Sequence, residues 1–456
     1  MKKFLFVGML ALAAGLFMAP TRAKAAMDQG DGKFSIHGEV RTRWEYIENH
    51  EDLTDTLSDQ DGEHGQFDDA YDIWPYRVRI GARGEFANNV IGYVELQNAG
   101  FFGNENPTKV DQHPIDQVFW NNIDNSEVKM YQGYIELDKI AGSIMSLRIG
   151  RQEHAIGNEL LVGDDDFYAG QSFDGVRAWW NFNKFTLNSM YYVIDERNAG
   201  CTDFCTDDNQ TAYGIYGTWT FGKNPQVFEP GLYRFRDAAA GPQFWILDAR
   251  WTRSVNSTAD MQAMAWDWSV EAAIENGEFD PAAPGPTTDI NASIVEGWFG
   301  WNFGSKARQR VYVGGLITSG DKKADNKIKS FIPLAEDTWA YNRLGDTDFF
   351  TLDGESNGDG TTTGITDLNV GYQYFGEKNN FRVSYHNFTA TEVASGAEDS
   401  LGDEIDFGYT HMYSANVSID AGVAEMSPGN FFKGFEGPGT GEDNVLRVWA
   451  QARLRF

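Results

Sequence analysis

Apolar and polar side chains alternate one by one through long stretches of this chain. Ile36, Val40, Thr42, Trp44 and Tyr46 share one parity, and His37, Glu39, Arg41, Arg43 and Glu45 share the other. Trp74, Tyr76, Val78 and Ile80 alternate in the same way with Arg77, Arg79, Arg83 and Glu85. The last stretch is the cleanest: Leu446, Val448, Ala450, Ala452, Leu454 and Phe456 against Arg447, Trp449, Gln451, Arg453 and Arg455. A period of two puts successive side chains on opposite faces of a strand, whereas a helix needs apolar residues three and four apart. Extended along the chain, the pattern predicts eighteen strands: 34–46, 73–86, 90–97, 128–137, 144–152, 173–181, 185–194, 210–220, 226–236, 243–252, 264–275, 290–301, 308–317, 365–375, 380–388, 403–411, 415–423 and 444–456. The alternation is weakest in 226–236, which contains Pro230, and in 290–301.

A soluble sandwich also alternates, so the connections decide between the two architectures. Short ones, such as Ala87-Asn88-Asn89, Asn183-Lys184, Glu377-Lys378-Asn379-Asn380 and Ser414, take turns with long, mostly acidic ones. The long ones cover 47–73, 98–127, 153–172, 195–209, 276–289, 318–364, 389–402 and 424–443. Short turns at one rim and long loops at the other are the arrangement of an outer-membrane barrel, and an even strand number returns both termini to the periplasmic side. In lipid every backbone N–H and C=O must be paired within the protein, and a closed sheet is the strand solution. The expected fold is therefore all-β, a transmembrane antiparallel barrel of a size that leaves a wet lumen. Trp44, Trp74, Trp180 and Phe456 are candidates for its interfacial aromatic girdles.

Residues 1–25 read as a secretory signal peptide: Lys2 and Lys3, an apolar run from Phe4 to Met18, then the small-residue site Ala23-Lys24-Ala25. Residues 26–456 are then one barrel domain. After Ala25 no stretch is long and apolar enough for a transmembrane helix. A formal net charge of -30 argues against nucleic acid as a partner. The motifs HExxH, GxSxG, Walker and GxGxxG are all missing, so neither an enzyme nor a cofactor is expected. Ser384 and His386 read as lumen lining rather than as a catalytic pair. Cys201 and Cys205, in a long loop of an exported chain, are a candidate disulfide. The run Asp353 to Asp359 has part of a calcium-loop spacing, but Gly364 stands where that pattern needs its last carboxylate.

Strand parity places Arg41, Arg43, Arg77, Arg79, Arg83, Arg148, Arg177, Arg234, Arg236, Arg250, Arg308, Arg310, Arg382, Arg447, Arg453 and Arg455 inside. Fewer acids share that face: Glu39, Glu45, Glu85, Glu95, Glu136, Asp248, Asp267, Glu271, Glu275, Glu404, Asp406 and Asp420. Some of these charges pair across strands. An Arg excess left over would guide an anionic solute, because a low-dielectric wall focuses the field.

Several short motifs point the same way. They are Arg41-Thr42-Arg43-Trp44-Glu45, Gly150-Arg151-Gln152, Leu161-Val162-Gly163, Phe173-Asp174-Gly175-Val176-Arg177, Ser319-Gly320-Asp321, Gly402-Asp403-Glu404-Ile405-Asp406-Phe407, Pro428-Gly429 and Arg453-Leu454-Arg455-Phe456. In their order and spacing the chain resembles the alginate-export family of outer-membrane porins. The resemblance implies an 18-stranded monomeric barrel with an Arg-rich constriction that selects a polyuronate. It puts Arg41, Arg43, Arg77, Arg79, Arg148 and Arg177 first among the channel-lining residues. Parity adds Arg250, Arg310, Arg382, Arg447 and Arg453. In one place the chain departs from the pattern, with Leu160 where Arg is expected before Leu-Val-Gly.

The expected function is passive transport of an anionic saccharide or uronate polymer. The alternatives are a general porin for small polar solutes, or a largely plugged barrel acting as adhesin or receptor through its acidic loops. The expected partners are outer-membrane lipid, the barrel assembly machinery that reads the last strand, and periplasmic export proteins.

Overall fold

The computed structural model describes residues 33–50, 70–86, 89–102, 127–164, 167–195, 210–222, 226–237, 241–255, 260–261, 264–280, 287–321, 327–334, 343–355, 362–433 and 443–456. The signal peptide and the cysteine pair expected from the sequence lie outside them. The described strands close into one antiparallel barrel of eighteen. In chain order they are β1 Lys33–Glu48, β2 Pro75–Phe86, β3 Val90–Phe101, β4 Lys129–Leu137, β5 Met145–Gln152, β6 Phe173–Asn181, β7 Phe185–Asp195, β8 Gln210–Phe221 and β9 Gln226–Asp237. They continue with β10 Gly241–Arg253, β11 Trp266–Asp280, β12 Thr288–Phe303, β13 Arg308–Thr318, β14 Ile365–Phe375, β15 Asn379–Ala390, β16 Ser400–Met412, β17 Val417–Pro428 and β18 Val445–Arg455. Each pairs with its sequence neighbours, and β18 closes on β1 with Arg41 opposite Arg453 and Glu39 opposite Arg455. Among the described residues no helix is long and apolar enough to cross a membrane. The membrane is crossed by strands.

The outer face carries the apolar parity. Val94, Ile135, Ile149, Ile215, Leu247, Ile274, Val313, Leu368 and Ile405 are exposed there, as contact with hydrocarbon requires. Trp74 and Phe456 stand exposed near opposite rims. The inner face differs between its two halves. Towards the periplasm it is polar, as the alternation leads one to expect. Towards the outside it is apolar, with Tyr192, Tyr233, Phe244, Ile246, Ile294 and Ile365 fully buried. A barrel interior of that kind must be packed against something, and two inward-folded loops supply it.

The apolar inner half changes the phase of the pattern and overturns one expectation. On β9 the buried inner positions are Gly231, Tyr233, Phe235 and Asp237, so Arg234 and Arg236 point outward. Strand parity misplaces them because apolar Tyr233 and Phe235 occupy the lumen side of this strand. Conversely Glu296 and Asp367 are buried inward and Glu229 shares the inner parity, although none was counted there. The wall-wide excess of Arg over acid therefore disappears, and any anion preference has to be local.

Candidate functional site

The described parts of two loops of the extracellular rim enter the barrel: the third connection, L3 (153–172), and the seventh, L7 (319–364). Several of the motifs mark where these loops leave the wall and where they are received. At the root of L3, Gly150 faces Gly175 across β5 and β6, and Arg151 pairs with Asp174 on the outer side at 2.5 Å. Gly150 has φ +127°, and a Cβ there would lie 2.2 Å from the Gly133 carbonyl oxygen, which is why this motif requires glycine. At the root of L7, a Cβ on Gly320 would meet the Thr363 carbonyl oxygen at 1.7 Å.

L3 crosses the lumen. At one end Phe167 to Gly170 lies on the wall of β1, β2 and β18. Arg41 and Arg77 donate to the Tyr168 carbonyl at 2.5 and 3.3 Å, and Arg79 to the Ala169 carbonyl at 2.9 Å. The Phe167 ring lies 3.8 Å from the Arg43 guanidinium and 5.0 Å from that of Arg447. Beneath it, buried Glu45 accepts from Arg447 at 2.7 Å and from the Tyr168 hydroxyl at 2.9 Å, and pairs with Arg43. Glu39 accepts from Arg77 at 2.6 Å. At the other end, Asn158 donates to Glu296 on β12 at 3.1 Å. Between the two ends Leu160, Leu161 and Val162 are buried in the apolar cluster. Leu160 thus stands inside the packed core, not at the lumen surface where an anion contact would be lost.

L7 comes from the opposite side. Arg343 pairs with Glu296 at 3.1 Å and donates to the Asn158 carbonyl at 2.8 Å, which ties L7 to L3. Asp346 pairs with Arg382, and the N–H groups of Asp346 and Thr347 donate to Glu404 at 2.6 and 2.8 Å. Arg447 reaches the Asp346 and Thr347 carbonyls at 3.4 and 3.5 Å. Ser384 and His386 belong to this anchor, bonded to Asp406 at 2.9 Å and to Asp367 at 3.1 Å. Burial raises the Asp346 carboxyl above the ordinary range, against the pull of Arg382. Among the described residues no cluster has metal-ligand geometry, and most of the calcium-like run lies outside them.

Where L7 returns to the wall, burial and the neighbouring Asp353 push the Glu355 carboxyl up to about 7 from an ordinary 4.5. The folded loop thus favours the protonated form. That contribution is complete below about 4.5 and is lost as pH climbs through about 7. Amide exchange in 351–355 and 362–364 is expected to speed up between about pH 4.5 and 7, beyond its intrinsic pH dependence, and Glu355→Gln to flatten the excess. The same excess in both proteins would exclude Glu355 as its source.

Below the L3–L7 junction a cavity of about 430 Å³ faces the periplasmic half of the lumen. Its wall includes five guanidiniums, Arg253, Arg308, Arg310, Arg343 and Arg382, and two carboxylates, Asp267 and Glu296. Arg310 pairs with Asp267 at 2.7 Å, Arg343 with Glu296 and Arg382 with Asp346. Arg308 lies over Phe375 at 3.5 Å and donates to Asn302 at 3.0 Å, and Arg253 donates to the carbonyls of Trp266 and Met264. Among the described residues neither has a carboxylate within ion-pair distance. The cavity is therefore cationic although the chain is strongly acidic. Sequence parity found Arg308 but not Arg253, which stands at the very end of β10.

Of the arginines put forward from sequence, Arg310 and Arg382 border this cavity. Arg41, Arg43, Arg77, Arg79 and Arg447 lie under L3 and L7. Arg250 pairs with Glu229. Arg453 is half-buried on β18. Arg148 and Arg177 face each other across β5 and β6 near Trp179. Arg148 is paired with Glu136 at 2.7 Å, and Arg177 donates to Asn188 at 3.1 Å.

A closed barrel of this build, with inward loops over a charged vestibule, is an outer-membrane channel for passive transport and not an enzyme. The chain belongs to the alginate export family, whose model matches residues 36–349. No curated protein matches it. Among solved structures it is similar in fold to OpdK from Pseudomonas aeruginosa, at 13% identity, over 92% of this chain and 99% of that one, with a TM-score of 0.55. A BenF-like porin from Pseudomonas fluorescens Pf-5 is 11% identical, over 93% and 99%, with a TM-score of 0.57. OccK2 (OpdF) from Pseudomonas aeruginosa, solved in complex with glucuronate, is 12% identical, over 93% and 98%, with a TM-score of 0.55.

Proposed function

We propose that this channel passes anionic saccharides of the uronate class, and that the vestibule below the L3–L7 junction is where they are selected. The observation that carries the reading is the pair Arg253 and Arg308, two guanidiniums without a carboxylate partner among the described residues, beside a cavity of about 430 Å³. A guanidinium fork replaces part of a carboxylate's hydration shell, and weak aqueous binding lets the solute leave. The cavity falls in the ~300–1,000 Å³ range of small-molecule sites, room for one or two sugar units at a time. The glucuronate held by OccK2, a barrel of the same fold, supports the same solute class. The opposed pair Arg148 and Arg177 is a second candidate contact along the way.

The test is a planar bilayer under a salt gradient. Arg253→Gln with Arg308→Gln is expected to lower the anion-over-cation permeability ratio severalfold, roughly twofold to tenfold. Glucuronate oligomers are expected to block the wild-type current where neutral sugars of equal length do not. Unchanged reversal potentials would refute the role of these two residues, and equal block by neutral sugars would indicate a general porin. The L3–L7 junction favours a second reading, a nearly plugged barrel that works through its loops. A silent bilayer trace would establish it.

A further inference from the structure

We infer that the lumen wall of β14 to β18 carries a second saccharide subsite, contiguous with the vestibule, that takes an uncharged pyranose through its hydroxyls. The channel then reads an acidic saccharide as at least two rings: a charged one on the vestibule arginines, on which reading this inference rests, and a neutral one here. The site is a second cavity, of about 250 Å³, on the periplasmic side of the first. The two share Gln373, Phe375 and Arg382 as a common wall, so neighbouring rings of one solute can occupy both.

The sheet register builds this cavity. One inward row runs Gln373, Arg382, Gly408, Gly422 and Trp449 across the five strands. Its two glycines leave a gap two strands wide, roughly 10 Å. Arg382 leans over Gly408, where a Cβ would lie 2.9 Å from its Nε, and the Trp449 ring covers Gly422 from the other side. Side chains that lie flat on the wall leave room in front of them. The next inward row towards the periplasm is Phe375, Asn380, Thr410, Asp420 and Gln451. The cavity thus has an aromatic ring at each end, Phe375 and Trp449, with Asn380, Thr410 and Asp420 between them. Such a lining suits a sugar, apolar against its C–H groups and polar against its hydroxyls.

Its charge differs from that of the vestibule. Arg382 is neutralised by Asp346. Asp420 accepts from Thr410 at 2.8 Å, Ser418 at 3.2 Å and Gln451 at 3.3 Å, and among the described residues no cation lies within ion-pair distance of it. A second carboxylate would be repelled by Asp420, whereas a hydroxyl can donate to it. Two polar atoms of this wall, Asn380 Oδ1 and Arg382 Nη1, have no hydrogen-bond partner among the described residues. A small turn of either side chain onto a bound hydroxyl supplies the missing bond, which is costly to leave unmade.

Block of the single-channel current tests this, with three solutes: glucuronate, diglucuronate, and a disaccharide of glucuronate and a neutral hexose. Both disaccharides are expected to block wild type about tenfold more tightly than glucuronate, and to match each other within about twofold. Asn380→Ala with Asp420→Ala is expected to remove that gain, so that neither disaccharide blocks better than glucuronate. If the double variant does not conduct, Asn380→Leu, which fills the cavity, takes its place with the same expected loss. A gain that survives in the variant would overturn the proposal. Diglucuronate blocking far better than the mixed disaccharide would overturn it too, because the second contact would then be ionic. Block by glucuronate with no gain from a second ring would overturn the subsite and leave the vestibule reading standing. No block by any of the three would overturn both.

Discussion

Replacing Glu45 by Ala is expected to cost about 3–5 kcal/mol of stability and to make the channel noisy. Glu45 is fully buried, and its carboxylate is the common partner of Arg447, Arg43 and the Tyr168 hydroxyl. Removing it leaves two guanidiniums facing each other under L3 with their neutralising charge gone. Cutting one side of a buried ion pair is costly because the other side stays desolvated. The loop should then detach from β1 and β18, and the barrel should unfold at lower denaturant. Glu45→Gln keeps the hydrogen-bond acceptor but not the charge, and should fall between. Denaturant titration in detergent and single-channel recording measure the two effects. A wild-type midpoint together with a quiet trace would show that the carboxylate holds nothing.

The second large effect is expected from Leu161→Ala. This side chain is packed into the apolar cluster between L3 and the outer half of the inner wall. Truncating a buried Leu costs about 2–5 kcal/mol, the more so where the surroundings cannot collapse. Here the rigid side is a closed sheet, so little relaxation is available. The loss should fall on the loop rather than on the strand ladder. Conductance should rise as L3 loosens, while the temperature at which the barrel itself unfolds stays close to wild type. A lowered barrel melting temperature with unchanged conductance would mean that the residue supports the wall instead. The contrast with Glu45→Ala, which should affect both readouts, separates the two anchors.

The strands were legible because lipid imposes alternation on them. β6 and β14 match their expected ranges, 173–181 and 365–375, residue for residue. The wall under L3 was legible too, in Arg41 to Glu45. What fills a lumen was not, since a period of two is the same whether the inner side chain meets water or a folded loop. Where the filling is apolar, as at Tyr233, Phe244 and Ile294, polar residues move to the outer rim and the pattern inverts its phase. That inversion hid Glu296 and misplaced Arg234 and Arg236. Several motifs of the resemblance proved informative in a way their sequences do not state: Arg41 to Glu45, Gly150 to Gln152, Phe173 to Arg177, Ser319 to Asp321 and Gly402 to Phe407 sit at the roots and landing points of L3 and L7.

The pairing of β1 with β18 has a consequence for biogenesis. One of its ion pairs, Arg455 with Glu39, joins residues 416 apart, and the Phe456 and Gly38 backbones exchange bonds of 3.0 and 2.9 Å at the same seam. Contacts that distant in sequence form slowly, because the chain entropy they close off is large. Until they form, the growing sheet has two open edges ready to pair with any other strand. Closing this seam before either edge pairs with another chain is therefore the demanding step in the folding of the barrel, and the seam is where an inhibitor of maturation would act.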